Sequence, residues 1–252
     1  MSHTVDFLAD DNVRRALAPS NGEIREMPRT TNREIAGTLL ARKGKCVLDI
    51  GCGDGKFTGV LATLFERVEG LDVNERKIEA AQKAADAAGL AIKFRAGSGE
   101  ALPHPDRSID VVVFSNSLHH MADMDGALRE AARVLVPGGL IYVMEPVAAG
   151  NYFEATRLVN DETVVRTDAY RAIGRVLQNH FVPVAEIIYR ARREFADFAE
   201  WRDDQIERSA SRRVVFETRG EEARRRFEQH ADRQDGRLAF DQIFRVNLLS
   251  KI

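Results

Sequence analysis

Cysteine is scarce in this chain, which has two cysteines, Cys46 and Cys52, among its 252 residues. Two thiols are too few for a disulfide framework, and no neighbouring His or Cys completes the ligand spacing of a zinc site. We therefore expect a reduced, intracellular protein that uses no metal.

The chain also lacks a strong charge of either sign and a long apolar run. Its formal net charge is −2, which gives no bulk attraction to nucleic acid or to an anionic membrane. No apolar run approaches the roughly 20 residues of a membrane-spanning helix, and the acidic N-terminal stretch does not resemble a targeting signal. We expect a cytoplasmic protein without a membrane or nucleic-acid partner. The oligomeric state stays open, a homodimer included.

Strand-like and helix-like segments alternate along the first 146 residues. Short apolar runs predict strands at 45–50, 67–73, 91–97, 109–115 and 139–145. Helical periodicity or capping residues predict helices at 57–65, 74–89 and 124–135. This alternation is typical of an α/β fold with a doubly wound, mostly parallel sheet. Ligands of such sheets bind beyond the carboxyl ends of the strands, where the sequence GCGDG follows the first strand.

The glycine run alone does not identify its ligand. A P-loop requires a Ser or Thr after its lysine, but Phe57 follows Lys56. A dinucleotide fingerprint requires a third glycine where Lys56 stands. The acidic Asp72 at the end of the second strand suits any ribose, and glycines in such a turn can also serve only close packing. These residues leave a nucleotide-like ligand and simple packing open.

The surrounding motifs carry a resemblance to a known family. VLDIGCGDGKF, VEGLDVNERKIEAA, FRAGSGEALPHPDRSIDVVVFSNSLHH and LREAARVLVPGGLIYVMEP occur in this order between residues 45 and 146. Together they resemble the class I S-adenosylmethionine-dependent methyltransferases. The resemblance implies a Rossmann-like, seven-stranded sheet whose last strand is antiparallel, and 186–193 and 237–250 are candidates for the last two strands.

The resemblance also implies the cofactor, S-adenosyl-L-methionine, and its product, S-adenosyl-L-homocysteine. Asp49 would lie near the ammonium group, the glycine loop near the methionine part, Asp72 at the ribose and Ser98 at the adenine. Ser98 stands where the family most often has an acidic residue. The implied cofactor-binding residues are Asp49, Gly51, Cys52, Gly53, Gly55, Asp72, Val73, Gly97, Ser98, Gly99, Ser115 and Asn116.

His119 and His120 are the candidate catalytic residues, because a neutral imidazole can accept a proton near neutral pH. A Leu-His-His segment is widespread in the family, so the pair can equally shape the loop. No motif of the adenine, glutamine, cytosine or arsenic methyltransferases is present. A small-molecule acceptor methylated at O, N or C is therefore expected. A tRNA or protein methyltransferase, a non-catalytic cofactor-binding module and a dinucleotide-dependent oxidoreductase are the alternatives.

The expected organisation has three parts within one domain. Residues 1–44 form a helical lead-in or lid, 45–146 the cofactor-binding α/β core, and 147–252 the last two strands with helical insertions that select the substrate. Aromatic residues of these insertions either line an apolar acceptor pocket or form the core of the added helices; they are Tyr152, Phe153, Tyr170, Phe195, Phe198 and Trp201.

Overall fold

The structure is a computed structural model that describes residues 25–41, 43–177 and 179–252. Its centre is one twisted sheet of nine strands. The strands are β1 (Arg25–Arg29), β2 (Cys46–Ile50), β3 (Arg67–Asp72), β4 (Ile92–Ala96), β5 (Ile109–Ser115), β6 (Leu135–Pro146), β7 (Phe181–Phe195), β8 (Asp232–Gln234) and β9 (Arg237–Lys251).

The helices lie between the strands in the alternation that the sequence predicts. They are α1 (Asn32–Leu40), α2 (Lys56–Leu61), α3 (Glu75–Ala87), α4 (Met124–Val134), α5 (Asn151–Thr156), α6 (Thr163–Val176), α7 (Phe198–Arg208) and α8 (Arg213–His230), with short 3₁₀ turns at Leu118–His120 and Ala210–Arg212. Local capping agrees with the prediction, since the Asn74 side chain accepts from the Lys77 amide at 3.2 Å at the start of α3.

The sheet order is β1-β7-β9-β6-β5-β2-β3-β4, with β8 paired to β9. Strands β2 to β6 pair in parallel, and β9 runs antiparallel between β6 and β7. The α/β prediction is confirmed, including the position of the antiparallel last strand. Strand order reverses between β2 and β5, so a crevice opens beyond their carboxyl ends.

Two strands extend the seven that the resemblance implies. The lead-in, expected to be helical, contains strand β1, which pairs in parallel with β7, before helix α1. Residues 1–24, which make up most of the predicted lead-in, lie outside the described residues. The second addition, β8, forms a short hairpin with β9. Both pairings join segments of the chain that carry no motif, so local periodicity could not reveal them.

Apolar side chains pack on both faces of the sheet, and a separate cluster forms in the part added after β6. This cluster contains Tyr152, Phe195, Phe198, Trp201, Phe216, Phe227 and Phe240. Its rings stack on one another, as in the pair Trp201–Phe227 with centroids 4.9 Å apart. Most of the added aromatics therefore build the core of the insertions. Tyr170 instead joins the core under the sheet.

Candidate functional site

The glycine loop links β2 to α2 at the switch point. Gly51, Gly53 and Gly55 all have positive φ angles, of 71°, 57° and 77°. A side chain at Gly51 would meet Ser117 at 2.5 Å, and one at Gly55 would meet the Phe94 ring at 2.6 Å. At Gly53 a side chain would meet no protein atom within 4 Å. Packing therefore explains two of the glycines, whereas the third borders open space.

Asp49 lies at the floor of this loop and is 1% exposed. Its Oδ2 accepts a hydrogen bond from Thr58 Oγ1 at 2.7 Å, whereas its Oδ1 has no partner among the described residues. Burial raises the pKa of Asp49 to about 7, and the charge of Asp72 adds to this rise. The hydrogen bond from Thr58 acts in the opposite direction and lowers the pKa. A buried carboxyl oxygen without a partner fits a site that receives a cationic group.

Asp72 ends β3 beside the same loop. Its two carboxylate oxygens accept from the Gly53 and Asn74 amides, each at 2.9 Å. An ionised carboxylate offers about four lone-pair positions, so two remain for a ligand. Val73, the next residue, is 74% exposed, which leaves its side chain available to pack against a flat ring.

The segment after β4 forms the next wall. Ser98 Oγ donates to Glu100 Oε2 at 3.0 Å and accepts from the Glu100 amide at 3.1 Å. A side chain at Gly99 would meet Ile50 at 2.6 Å, so this backbone lies directly against the end of β2. A side chain at the neighbouring Gly97 would meet Leu71 at 2.9 Å.

Arg133 of α4 holds the following residues in place. It donates to the carbonyls of Leu102 and His104 at 2.9 and 2.8 Å, and to Asp106 at 2.8 Å. Glu130, its neighbour on α4, accepts from the Leu102 amide at 2.8 Å. The sequence interpretation did not single out Arg133 or Glu130, because nothing in an α4 pattern shows that the loop folds back onto it.

The segment after β5 carries the two histidines. Asn116 has a positive φ of 55°, and its amide donates to the Met144 carbonyl at 2.8 Å. Ser115 ends β5 one residue earlier. The adjacent Ser117 donates from Oγ to the Ile50 carbonyl at 2.5 Å, which fixes this turn against the glycine loop.

His119 is 5% exposed and bonds through Nδ1 to Glu145 Oε2. Glu145 Oε1 also accepts from the Leu118 amide at 2.8 Å. With Nδ1 at the carboxylate, Nε2 is the ring nitrogen of His119 that Glu145 does not hold. Glu145 was missed from the sequence, although an acidic residue at the carboxyl end of a buried strand is a usable signal.

His120 and the start of α6 complete this side of the crevice. The rings of His119 and His120 have centroids 3.9 Å apart. Burial, and then the neighbouring His119, lower the pKa of His120 and favour its neutral form. Glu162 bonds to Arg166 at 2.5 Å, and helix α6 packs on the turn that holds the histidines.

A donor atom from each of His119, His120 and Glu162 lies within 4.8 Å of the others. Arg166 already holds Glu162, and a guanidinium beside a carboxylate disfavours a cation there. We therefore assign no metal to this group. The expectation that the protein uses no metal stays a prediction.

Cys52, which the resemblance places among the cofactor residues, is buried. Burial raises the pKa of the Cys52 thiol, and the charges of Asp49 and Asp72 raise it further. The thiol is therefore neutral and not a nucleophile. The Cys52 side chain also packs closely against β3, because a side chain placed at Gly70 would meet its sulfur at 3.0 Å.

Comparison with known proteins agrees with this architecture. A family model described as a methyltransferase domain matches residues 48–143, from the glycine loop to β6. Over these residues the chain is similar to the class I S-adenosylmethionine-dependent methyltransferases. The methyltransferase match covers the strands that carry Asp49, Asp72 and the histidine turn.

Individual relatives extend the comparison. A 27-O-demethylrifamycin SV methyltransferase of Amycolatopsis mediterranei is 37% identical over 155 residues, 57% of either chain. A ubiquinone biosynthesis O-methyltransferase of Sinorhizobium fredii is 36% identical over 101 residues, 40% of this chain and 41% of its own. The chain thus spans only about half the length of the curated relatives it matches.

Among solved structures, the YcgJ protein of Bacillus subtilis superimposes with a TM-score of 0.60 at 24% identity, over 86% of this chain and 96% of its own. This likeness concerns the fold alone. In the described part of the chain, no helix has the length and apolar character to cross a membrane.

Proposed function

We propose that the protein is an S-adenosylmethionine-dependent methyltransferase that methylates a small-molecule acceptor. The observation that carries the proposal is the joint geometry of Asp49 and Gly53: a buried carboxyl oxygen without a partner, beside a glycine whose missing side chain leaves open space. A ligand with a cationic end that approaches the backbone closely fits both features. S-adenosylmethionine has such an end in its ammonium group.

The remaining walls suit the rest of that cofactor. Amide groups of the glycine loop can meet the methionine carboxylate, and the two spare lone-pair positions of Asp72 can accept the ribose hydroxyls. Val73 and Gly99 can pack against the adenine. Ser98 can bond the exocyclic amine if it leaves Glu100, and it does so without a charge. Ser115 and Asn116 would lie beside the sulfonium.

The acceptor atom that the site favours is a hydroxyl oxygen. The names of both relatives describe O-methylation, of 27-O-demethylrifamycin SV and in ubiquinone biosynthesis. A hydroxyl must lose its proton when it is methylated, and His119 can take that proton at Nε2, the ring nitrogen that Glu145 does not hold. Nitrogen and carbon acceptors were also open from the sequence, and the His119–Glu145 pair is what favours oxygen.

When bound, the cofactor supplies an electrophilic methyl group on a sulfonium. His119 Nε2 accepts the hydroxyl proton as the acceptor oxygen forms its bond to the methyl carbon. Glu145 holds the opposite nitrogen, so that the ring keeps its proton on Nδ1 and a lone pair on Nε2. His120, Glu162 and Arg166 then border the acceptor. Holding the acceptor in line supplies the larger part of the acceleration, as effective molarities of about 10⁵–10⁸ M show.

A direct test measures S-adenosylhomocysteine release from S-adenosylmethionine in the presence of a panel of phenols, hydroquinones and hydroxylated macrocycles. We expect turnover with at least one hydroxylated acceptor. His119→Gln should lose turnover by about 10²–10⁴-fold while it keeps cofactor affinity, whereas His230→Gln, far along α8, should change neither.

Two results would contradict the proposal. Cofactor binding without release of product across the panel would favour a non-catalytic cofactor-binding module. Methylation of tRNA or of a protein, with none of the small molecules, would favour the alternative macromolecular acceptor. Equal loss of affinity and turnover in His119→Gln would assign that residue a structural role.

A further inference from the structure

A buried polar cluster lies in the sheet behind Glu145, on the face that α6 covers. Its members are Glu186 of β7, which is 2% exposed, and Arg245 and Asn247 of β9, which are 6% and 2% exposed. Asn247 donates to Glu186 Oε2 at 3.0 Å, and Tyr170 of α6 bonds to the same oxygen at 3.2 Å. The cluster has no part in the cofactor site described above.

The guanidinium of Arg245 is poorly satisfied for a group so deeply buried. It forms one ion pair, Nε to Glu186 Oε1, at the long distance of 3.5 Å. Its Nε and Nη2 have no hydrogen-bond partner among the described residues. Its carbon atom Cζ lies 3.7 Å from the centre of the Tyr170 ring. Buried charges are ordinarily paired and hydrogen-bonded, so Arg245 requires a second anionic neighbour.

The strand register places a second carboxylate on the same face as Arg245. Arg245 stands directly opposite Glu145 in the antiparallel pairing of β6 and β9, and directly opposite Ile188 on β7. Residues opposite each other point to the same face of a sheet, with Cβ atoms about 4.5–5.5 Å apart. Glu145, which bonds to His119, and Arg245 thus share one buried face.

We infer that Arg245 is a positioning residue for the His119–Glu145 pair. Its charge acts on the Glu145 carboxylate, and Glu145 in turn keeps the proton of His119 on Nδ1 and the lone pair on Nε2. Glu186 weakens this effect, because its carboxylate competes with that of Glu145 for the same guanidinium. The inference rests on the proposed role of His119, but its consequences can be measured without any acceptor.

The other charged or titratable groups around His119 are few. They are His120 in the same turn, Glu162 and Arg166 at the start of α6, and Lys77 of α3, whose charge acts on His120. None of them contacts Arg245 or Glu186 within the described residues. Changes at those two residues therefore test the path through Glu145.

The experiment records nitrogen NMR spectra of ¹⁵N-histidine-labelled full-length protein against pH, with His119 assigned by its loss in His119→Gln. Removing the ion pair in the double variant Arg245→Met/Glu186→Gln keeps the buried charge balanced. We expect the pH midpoint at which the His119 ring becomes doubly protonated to rise by about one to two units. Above this midpoint, the share of rings with the proton on Nδ1 should fall.

Glu186→Gln alone is the matched control, because it frees Arg245 for Glu145. It should move the same midpoint to lower pH, opposite to the double variant, while Arg245→Lys should leave it within about half a unit. A purely structural role predicts lower melting temperatures with an unchanged midpoint, which would overturn the inference. Shifts of the same sign in both variants would overturn it too. Neither result depends on whether the protein transfers a methyl group.

Discussion

Replacing Asp49 by asparagine should change how stability depends on pH. The pKa of Asp49 is raised from 3.8 to about 7, chiefly by burial. Between these values the native protein holds a proton that the unfolded chain has released, so a rise in pH favours unfolding. At 1.36 kcal/mol per unit, this one group costs on the order of 4 kcal/mol by pH 7, and no more above that pH.

The Asp49→Asn variant has no ionisable group at this position and therefore does not lose stability in this way as the pH rises. The free energy of unfolding of the wild type, minus that of the variant, should therefore fall by about 3 kcal/mol between pH 5 and pH 8. The amide of the variant leaves a buried N–H group without a partner at the place of Oδ1, which costs about 1–3 kcal/mol at every pH. On these figures the two proteins should have similar stability at pH 5, and the variant should be more stable than the wild type by about 1–3 kcal/mol at pH 8.

Urea denaturation at pH 5, 6, 7 and 8 measures this difference. Asp86→Asn, on the exposed side of α3, is the control and should run parallel to the wild type. If the free energy of unfolding of Asp49→Asn also runs parallel to that of the wild type across this pH range, the argument that burial holds a proton on Asp49 is refuted. If the cofactor ammonium pairs with the ionised group, cofactor affinity should also rise with pH up to about 7 in the wild type and not in the variant.

Four further changes have outcomes that follow from single contacts. Asp72→Asn should weaken S-adenosylmethionine binding about tenfold, measured by calorimetry, because charge-assisted bonds to the ribose become neutral ones. Gly53→Ala should lower cofactor affinity more than stability, whereas Gly99→Ala, whose side chain would meet β2, should lower the urea-derived stability by about 1–3 kcal/mol. Arg133→Met should speed amide hydrogen exchange over residues 98–106 and cost about 2 kcal/mol, since two loop carbonyls lose their donor.

Local pattern was enough to predict where in the fold the expected cofactor residues lie. The glycine loop, Asp72 and Ser98 each follow a strand of the α/β alternation, and parallel strands bring their carboxyl ends to one edge. The same rule locates the histidine turn after β5. For these residues, sequence neighbours decide the position, so motif order is a sufficient guide.

The acceptor side depends on contacts between distant parts of the chain. Glu145 reaches His119 only because β6 lies beside β5, and Arg245 faces Glu145 only because β9 returns antiparallel to β6. The aromatic residues of the insertions could line a pocket or form a core, and no spacing decides between these. In the structure, Trp201 and its neighbours pack on one another. Strand β1 was missed for the same reason, since its partner β7 lies far along the chain.

Calorimetric titration of the 252-residue chain with S-adenosylmethionine, S-adenosylhomocysteine and NAD distinguishes a methyl-donor site from a dinucleotide site. We expect one site per chain for the first two ligands, weakened by Asp72→Asn, and no heat of binding with NAD. Binding of NAD at that site, or the failure of both S-adenosyl ligands to bind, would contradict this expectation.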